Sequence, residues 1–222
     1  ASPNPHSGEK LLLAGAYAAL QAWDYIAFPR YTLPTRGEYT WGAGKFRGFF
    51  DVDQHPTRML GFIPAIAMFR RGDVRPAEKQ IVVPFGGRRE LDAVLRREDT
   101  YAVVPDEAAG FPSGAALVHR LALATEGMDL PPDALDPAQV SIAGPLYVSD
   151  TGDLTWDRTD EARGVLTVNT ARSKAVVGYG AGRRFDLGGV VVEPGPSRLD
   201  GWSVVSLTAL DGDLAGGTAR IL

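Results

Sequence analysis

The stretch EKLLLAGAYAALQAWDYIAF, residues 9–28, decides how the chain is read. Its first part is built of strong helix formers, Glu9, Lys10 and three leucines followed by an alanine-rich run to Leu20, and predicts a helix over residues 9–23. Ser7 stands where a cap belongs, and Glu9 and Lys10 suit the first turns. The apolar residues leave almost no polar face, so this helix is expected to be packed on both sides. Trp23-Asp-Tyr-Ile-Ala-Phe28 then reads as a short buried strand, rich in aromatic side chains and stopped by Pro29.

Downstream, residues 29–55 form a long loop carrying Tyr31, Tyr39, Trp41, Phe46, Phe49 and Phe50. Loops of this length are functional or disordered, and so many aromatic rings favour a packed, functional one. A second helix is expected over residues 57–71, with Pro56 at its first position and Pro64 kinking it. Gly72 and Pro76 mark a linker at residues 71–77. Beyond it the texture becomes short β-like runs between glycine and proline turns: residues 79–85, 101–104, 146–149, 154–157, 165–169, 175–179, 190–193 and 202–210. Asp150-Thr-Gly-Asp153 has hairpin-turn chemistry, and the spacing favours an antiparallel sandwich or barrel. Residues 118–125 are open to a strand reading, whereas residues 131–137 read as loop.

Length and charge exclude several classes. The 222 residues, 45% hydrophobic and 23% charged, have a globular balance and suffice for one large or two small domains. A complete (β/α)8 barrel needs about 250 residues, so the chain does not hold a barrel plus a second domain. A net charge of −4 with scattered Lys and Arg gives no nucleic-acid footprint. The longest apolar run, residues 11–20, is half of what crosses a bilayer, and the polar first residues do not read as a signal peptide. With no cysteine there is no disulfide framework, thiolate zinc site or cysteine nucleophile. The absence of cysteine assigns no compartment.

Few motifs carry chemistry. His6, His55 and His119 lack metal-binding spacing, so neither a metal nor a cofactor is expected. Gly178-Tyr-Gly180-Ala-Gly182 follows an apolar strand but precedes no helix, and reads as a hairpin instead of a dinucleotide turn. Asp51-Val-Asp53-Gln-His55 gathers two carboxylates and an imidazole; if the segment is extended, both carboxylates point the same way. Capping and loop hydrogen bonds are the plainer use of these groups.

The order of helix, aromatic strand, long aromatic loop, kinked helix and β-rich part resembles the C-terminal end of clan A type (β/α)8-barrel glycoside hydrolases. Within that group it is similar to the large bacterial polysaccharide-degrading members with a β-domain after the barrel. The residues that carry the resemblance are Pro3-Asn4, Glu9, Ala18-Ala-Leu-Gln-Ala-Trp23-Asp24, Phe49-Phe-Asp51-Val-Asp53-Gln-His55-Pro56 and Phe69-Arg-Arg-Gly-Asp73-Val, with Ser149-Asp-Thr-Gly-Asp-Leu-Thr-Trp156-Asp, Gly164-Val-Leu-Thr-Val-Asn169-Thr and Lys174-Ala-Val-Val-Gly178. It covers most of the chain and is weakest over residues 85–140.

The resemblance implies an α/β plus all-β chain: the last βα units of a (β/α)8 barrel at residues 1–77, then an antiparallel β-sandwich at residues 78–222. In such enzymes the catalytic glutamates end the fourth and seventh strands. Here their positions fall before Ala1, so no catalytic residue is assigned; Glu9 and Glu38 do not replace them. What the chain supplies is the sugar-binding surround: Asn4, His6, Phe28, Tyr31, Trp41, Asp51 and Asp53, with ordinary loop packing as the alternative for each aromatic. Trp23 and Asp24 are expected to be structural, and Trp156 and Trp202 to belong to the sandwich core. The implied partners are a carbohydrate and another chain or segment supplying the rest of the barrel, and the implied location is secreted or periplasmic. The C-terminal residues 219–222 read as part of a strand, which fits a fragment. Two other functions stay open: a non-catalytic carbohydrate-binding or interaction module, and a small hydrolase using Asp51, Asp53 and His55. The barrel reading requires residues 1–75 to expose a large apolar surface when alone.

Overall fold

Two helices lie against one face of an antiparallel sheet in the computed structural model, which describes residues 4–28, 31, 51–53, 55–85, 114–125, 127–215 and 219–222. A 3-10 turn at Ser7–Glu9 leads into α1 (Lys10–Leu20), and α2 (Pro56–Phe69) begins with Pro56 at its first position and runs unbroken through Pro64. Then come β1 (Gln80–Phe85), α3 (Ala115–Val118), β2 (Arg120–Thr125), β3 (Leu146–Val148), β4 (Leu154–Asp157), β5 (Val165–Asn169), β6 (Ser173–Tyr179), β7 (Phe185–Asp186), β8 (Val191–Val192) and β9 (Trp202–Thr208). The expected strand at 101–104 lies outside the described residues.

The main sheet has the order β3-β4-β5-β6-β9, every neighbouring pair antiparallel. Period-two alternation sorts its side chains. Leu154, Leu166, Val168, Ala175 and Val177 meet Leu12, Ala16, Leu20 and Met68 of the helices, with Val74 and Ala77 between. Val165 and Val176 face the other way, onto Phe185, Leu187 and Val192 of the β7–β8 hairpin. Strand β6 therefore has cover on both faces and is buried from Ser173 through Gly178. Each large aliphatic chain buried here contributes about 1.5–3 kcal/mol.

Segment 71–77, expected as a linker, is tied down. Ala77 donates its amide to Leu20 at 2.8 Å, Asp73 accepts from Ser173 Oγ at 2.6 Å, and Arg75 pairs with Asp153 at 2.9 Å. Helices and sheet thus share one core across the expected boundary at 77/78. Gln21 adds a second tie, donating to the Ala116 and His119 carbonyls at 2.7 Å and accepting from the Leu121 amide at 2.8 Å.

Three expectations need correction. Residues 23–28 do not form a strand: no partner strand among the described residues reaches them, and Trp23 and Tyr25 are 56% and 75% exposed. A run of strand-favouring side chains is not a strand until a neighbour takes its backbone groups. Helix α1 stops earlier than residue 23, because Ala22 turns to φ 54° and the amides of Ala22 and Trp23 close back on the carbonyls of Ala19 and Ala18. Finally, β1 and β2 pair in parallel, not antiparallel, with Leu135 bridged to Ile81. Parallel neighbours cannot be joined by a tight turn and need a long connection.

Tyr17 packs against the core with its hydroxyl buried and without a hydrogen-bond partner, and burial raises its ionisation far above the ordinary range. Tyr17→Phe removes an uncompensated polar atom, so urea unfolding is expected to show unchanged stability or a gain of up to about 1 kcal/mol.

Candidate functional site

The two helices cross closely enough that their N-terminal ends meet. At Gly15 a Cβ would lie 2.7 Å from Ala65 Cα, and at Gly61 one would lie 3.3 Å from Leu11 Cβ. Glycine at both positions lets the backbones approach. Ser7, at the start of α1, is thereby brought to His55, at the start of α2. Ser7 does not cap its own helix as the sequence implied; its Oγ lies 3.0 Å from His55 Nε2, while His55 Nδ1 lies 2.8 Å from Thr57 Oγ1. The Ser7 amide is occupied by the Asn4 carbonyl at 3.1 Å.

His55 is held below its ordinary pKa by burial and by the neighbouring Arg58 guanidinium. Two helix N-termini opposing a positive charge act in the same sense. The unfolded chain therefore binds a proton on this imidazole more readily than the folded one. Stability from this site is present in full above the unfolded value of 6.5 and is lost as pH falls below it toward the folded value. Urea midpoints measured between pH 5 and 8 should fall on the acid side, with a shallower fall in His55→Asn.

The expected cleft residues separate into groups. Asn4 is exposed, and its Oδ1 accepts the His6 amide at 2.9 Å. His6 is half-buried, its ring edge-on to Trp202 at 4.8 Å and 6.3 Å from Tyr179. Tyr31 is exposed, and its carbonyl accepts the amides of Val52 at 2.9 Å and Asp53 at 3.2 Å, which joins the two ends of the aromatic loop. Phe28 lies elsewhere along α2, edge-on to Phe62 at 5.6 Å with the Lys10 ammonium 5.5 Å from its ring centre. Trp41 and Glu38 lie outside the described residues.

Asp51 and Asp53 are not equivalent. Asp51 is 2% exposed; its backbone carbonyl accepts Arg58 Nη1 at 2.9 Å, and its Oδ1 is buried without a hydrogen-bond partner among the described residues. Asp53 is half-buried in a turn closed by the His55 amide on the Val52 carbonyl at 3.0 Å. The segment is not an extended strand, so the alternation that would align the two carboxylates does not apply. Among the described residues no group of three or more His, Cys, Asp or Glu is arranged to hold a metal ion, and no helix is long and apolar enough to cross a membrane.

Sequence reasoning missed the partnership of Tyr179 and Trp202 with the turn that carries His6 and Glu9, and the burial of Arg58 at 1% exposure. No local pattern announces contacts between residues so distant in the chain. Trp202, expected in the core, is 8% exposed.

A mostly apolar cavity of about 260 Å³ opens between α1, α2 and residues 24–28, lined by Leu11, Tyr25, Ile26, Phe28, Phe62 and Ile66 among others. Of its lining, Tyr25 and Ile66 are exposed, as are Trp23, next to the lining residue Asp24, and Leu60 and Ile63 of α2. A scan against protein-family profiles, a search of curated proteins and a search of solved structures each gave no match to this chain.

Proposed function

We propose that the chain is part of a glycoside hydrolase acting on a polysaccharide or oligosaccharide, in which residues 1–77 are the last βα units of a (β/α)8 barrel and the β-rich remainder is a sandwich-type domain. In this reading the catalytic glutamates lie on another chain or segment, and this chain contributes the cleft wall. The supporting observation is the apolar surface at Trp23, Tyr25, Leu60, Ile63 and Ile66, together with the cavity beneath it. Exposed apolar side chains beside an apolar cavity mark an interaction surface when they are gathered into one patch. On α2, Leu60, Ile63 and Ile66 recur at three-residue spacing. Neighbouring barrel strands would pair with residues 23–28 and cover it.

The wall chemistry is suited to sugars. Aromatic rings stack on the apolar faces of pyranose rings, and amides and carboxylates take the hydroxyls. Glycoside hydrolysis needs two carboxyl groups about 5–9 Å apart around the scissile bond. Asp51 is nearly inaccessible and both ring nitrogens of His55 face hydroxyl groups, which favours supporting roles for them over a self-contained hydrolase.

Deleting residues 1–75 to test for a separate binding module would strip the sheet of half its core, so point substitutions are the cleaner probe. Fluorescence titration of the assembled protein with cello-, xylo- and manno-oligosaccharides is expected to reveal binding by at least one series. Tyr31→Ala should weaken it by about fivefold or more, the worth of roughly 1 kcal/mol of stacking. Absence of binding by all three series, or binding indifferent to Tyr31→Ala, would count against the reading.

A further inference from the structure

We infer that Trp202 and Tyr179, though they belong to the β-rich part, are positioning residues for the turn at residues 4–9 and so for Asn4 and His6 at the cleft edge; this rests on the proposed sugar cleft. The two are direct cross-strand partners at one end of the β6–β9 ladder, so their rings stand side by side. The His6 ring packs edge-on against Trp202 with centroids 4.8 Å apart, and the Tyr179 ring lies 6.3 Å from it. Gly8 sits against the same indole, where a Cβ would be 3.9 Å from its six-membered ring and 3.6 Å from Thr57 Cβ of α2.

Trp202 is buried at 8% exposure, and a buried indole needs an acceptor for its N–H. The Glu9 carboxylate neighbours this indole, whose influence lowers its pKa. Glu9 is faced by the indole from β9 and by His6 from its own turn; burial raises its pKa while these two neighbours oppose the rise. The Arg163 guanidinium also lies 5.4 Å from the Tyr179 ring centre and is itself ion-paired with Asp200. The opposite flank of the turn is held by the Ser7–His55 hydrogen bond to α2. Locally the turn is held by the Ser7 amide on the Asn4 carbonyl, the Glu9 amide on the His6 carbonyl and the His6 amide on Asn4 Oδ1. The outside contacts at the His6 ring and Gly8 place the turn, and Asn4 with it.

Amide hydrogen exchange on the full chain tests this. Trp202→Leu is expected to speed exchange of residues 7–9 about tenfold while the α2 amides of residues 62–68 keep their wild-type rates. Trp202→Phe keeps a ring for His6 and deletes the N–H, so it should speed exchange less and move the Glu9 carboxyl titration, followed by carbon NMR, further upward. Trp202→Leu should also weaken the oligosaccharide binding measured with the cello-, xylo- and manno- series. Unchanged exchange at residues 7–9 in both variants, or an unmoved Glu9 titration in Trp202→Phe, overturns the inference. If Trp202→Leu fails to fold, Trp202→Phe decides the matter alone. If wild type binds none of the sugars while exchange responds as stated, the cleft reading fails and the positioning contact stands as structural only, which also removes the functional half of the inference.

Discussion

Gly178→Ala should destabilise the fold by about 2–6 kcal/mol, a large effect for one added methyl group. Two costs combine. The residue sits at φ 123°, a backbone conformation that strains any residue with a Cβ by about 1–3 kcal/mol. An added Cβ would also lie 2.2 Å from the Gly164 carbonyl oxygen and 3.0 Å from Val165 Cα, backbone atoms of the strand it pairs with. They have little room to yield, because Val165 and Val177 are at most 3% exposed and packed on opposite faces of the sheet. Overpacking of this kind costs about 1–3 kcal/mol more. Gly182→Ala is the control: φ is 74° there but nothing lies within 4 Å, so only the backbone cost of about 1 kcal/mol is expected. Equal urea midpoints for the two variants would show that the close β5–β6 approach is wrong.

The second large effect is at the helix crossing. Gly15→Val should cost about 2–3 kcal/mol and Gly15→Ala about half as much. In an isolated helix, replacing glycine by alanine is favourable by nearly 1 kcal/mol. Here the Cβ would stand 2.7 Å from Ala65 Cα and 2.8 Å from its carbonyl oxygen, so α2 must move away. That separation also stretches the Ser7–His55 hydrogen bond at the adjoining helix ends. A net gain in stability for Gly15→Ala would mean that helix propensity outweighs contact and that the helices are not so close.

What was legible in the residues follows from how local the cause is. Strands β4 and β5 fall on the β-like runs 154–157 and 165–169, and Asp150-Thr-Gly-Asp153 turns between β3 and β4, since composition and turn chemistry are both written within a few residues. Helix α2 begins at Pro56 for the same reason. Contacts that depend on distant partners were not legible. Ser7 looks like a cap, yet its hydroxyl goes to a histidine 48 positions away. Residues 23–28 have strand composition, and among the described residues no neighbouring strand completes them. The parallel pairing of β1 with β2 is carried by a crossover, not by any feature of either strand. At the candidate site, Asp51 and Asp53 looked like a matched pair, but Asp51 is enclosed and Asp53 is half-open. Trp202 read as core, and its second role, as the surface against which the 4–9 turn rests, depends on tertiary packing alone.

The barrel reading stands or falls with what covers the apolar face at Trp23, Tyr25, Leu60, Ile63 and Ile66. The most direct measurement is reducing-sugar release from polysaccharide, together with native mass and polypeptide content, on active material that contains this chain and on the 222-residue chain alone. The expected result is that cleavage accompanies a species with a further barrel segment bearing two catalytic glutamates, and that the chain alone releases no sugar. Cleavage by the isolated chain, abolished by Asp51→Asn with the fold retained, would contradict the proposal and favour a self-contained hydrolase.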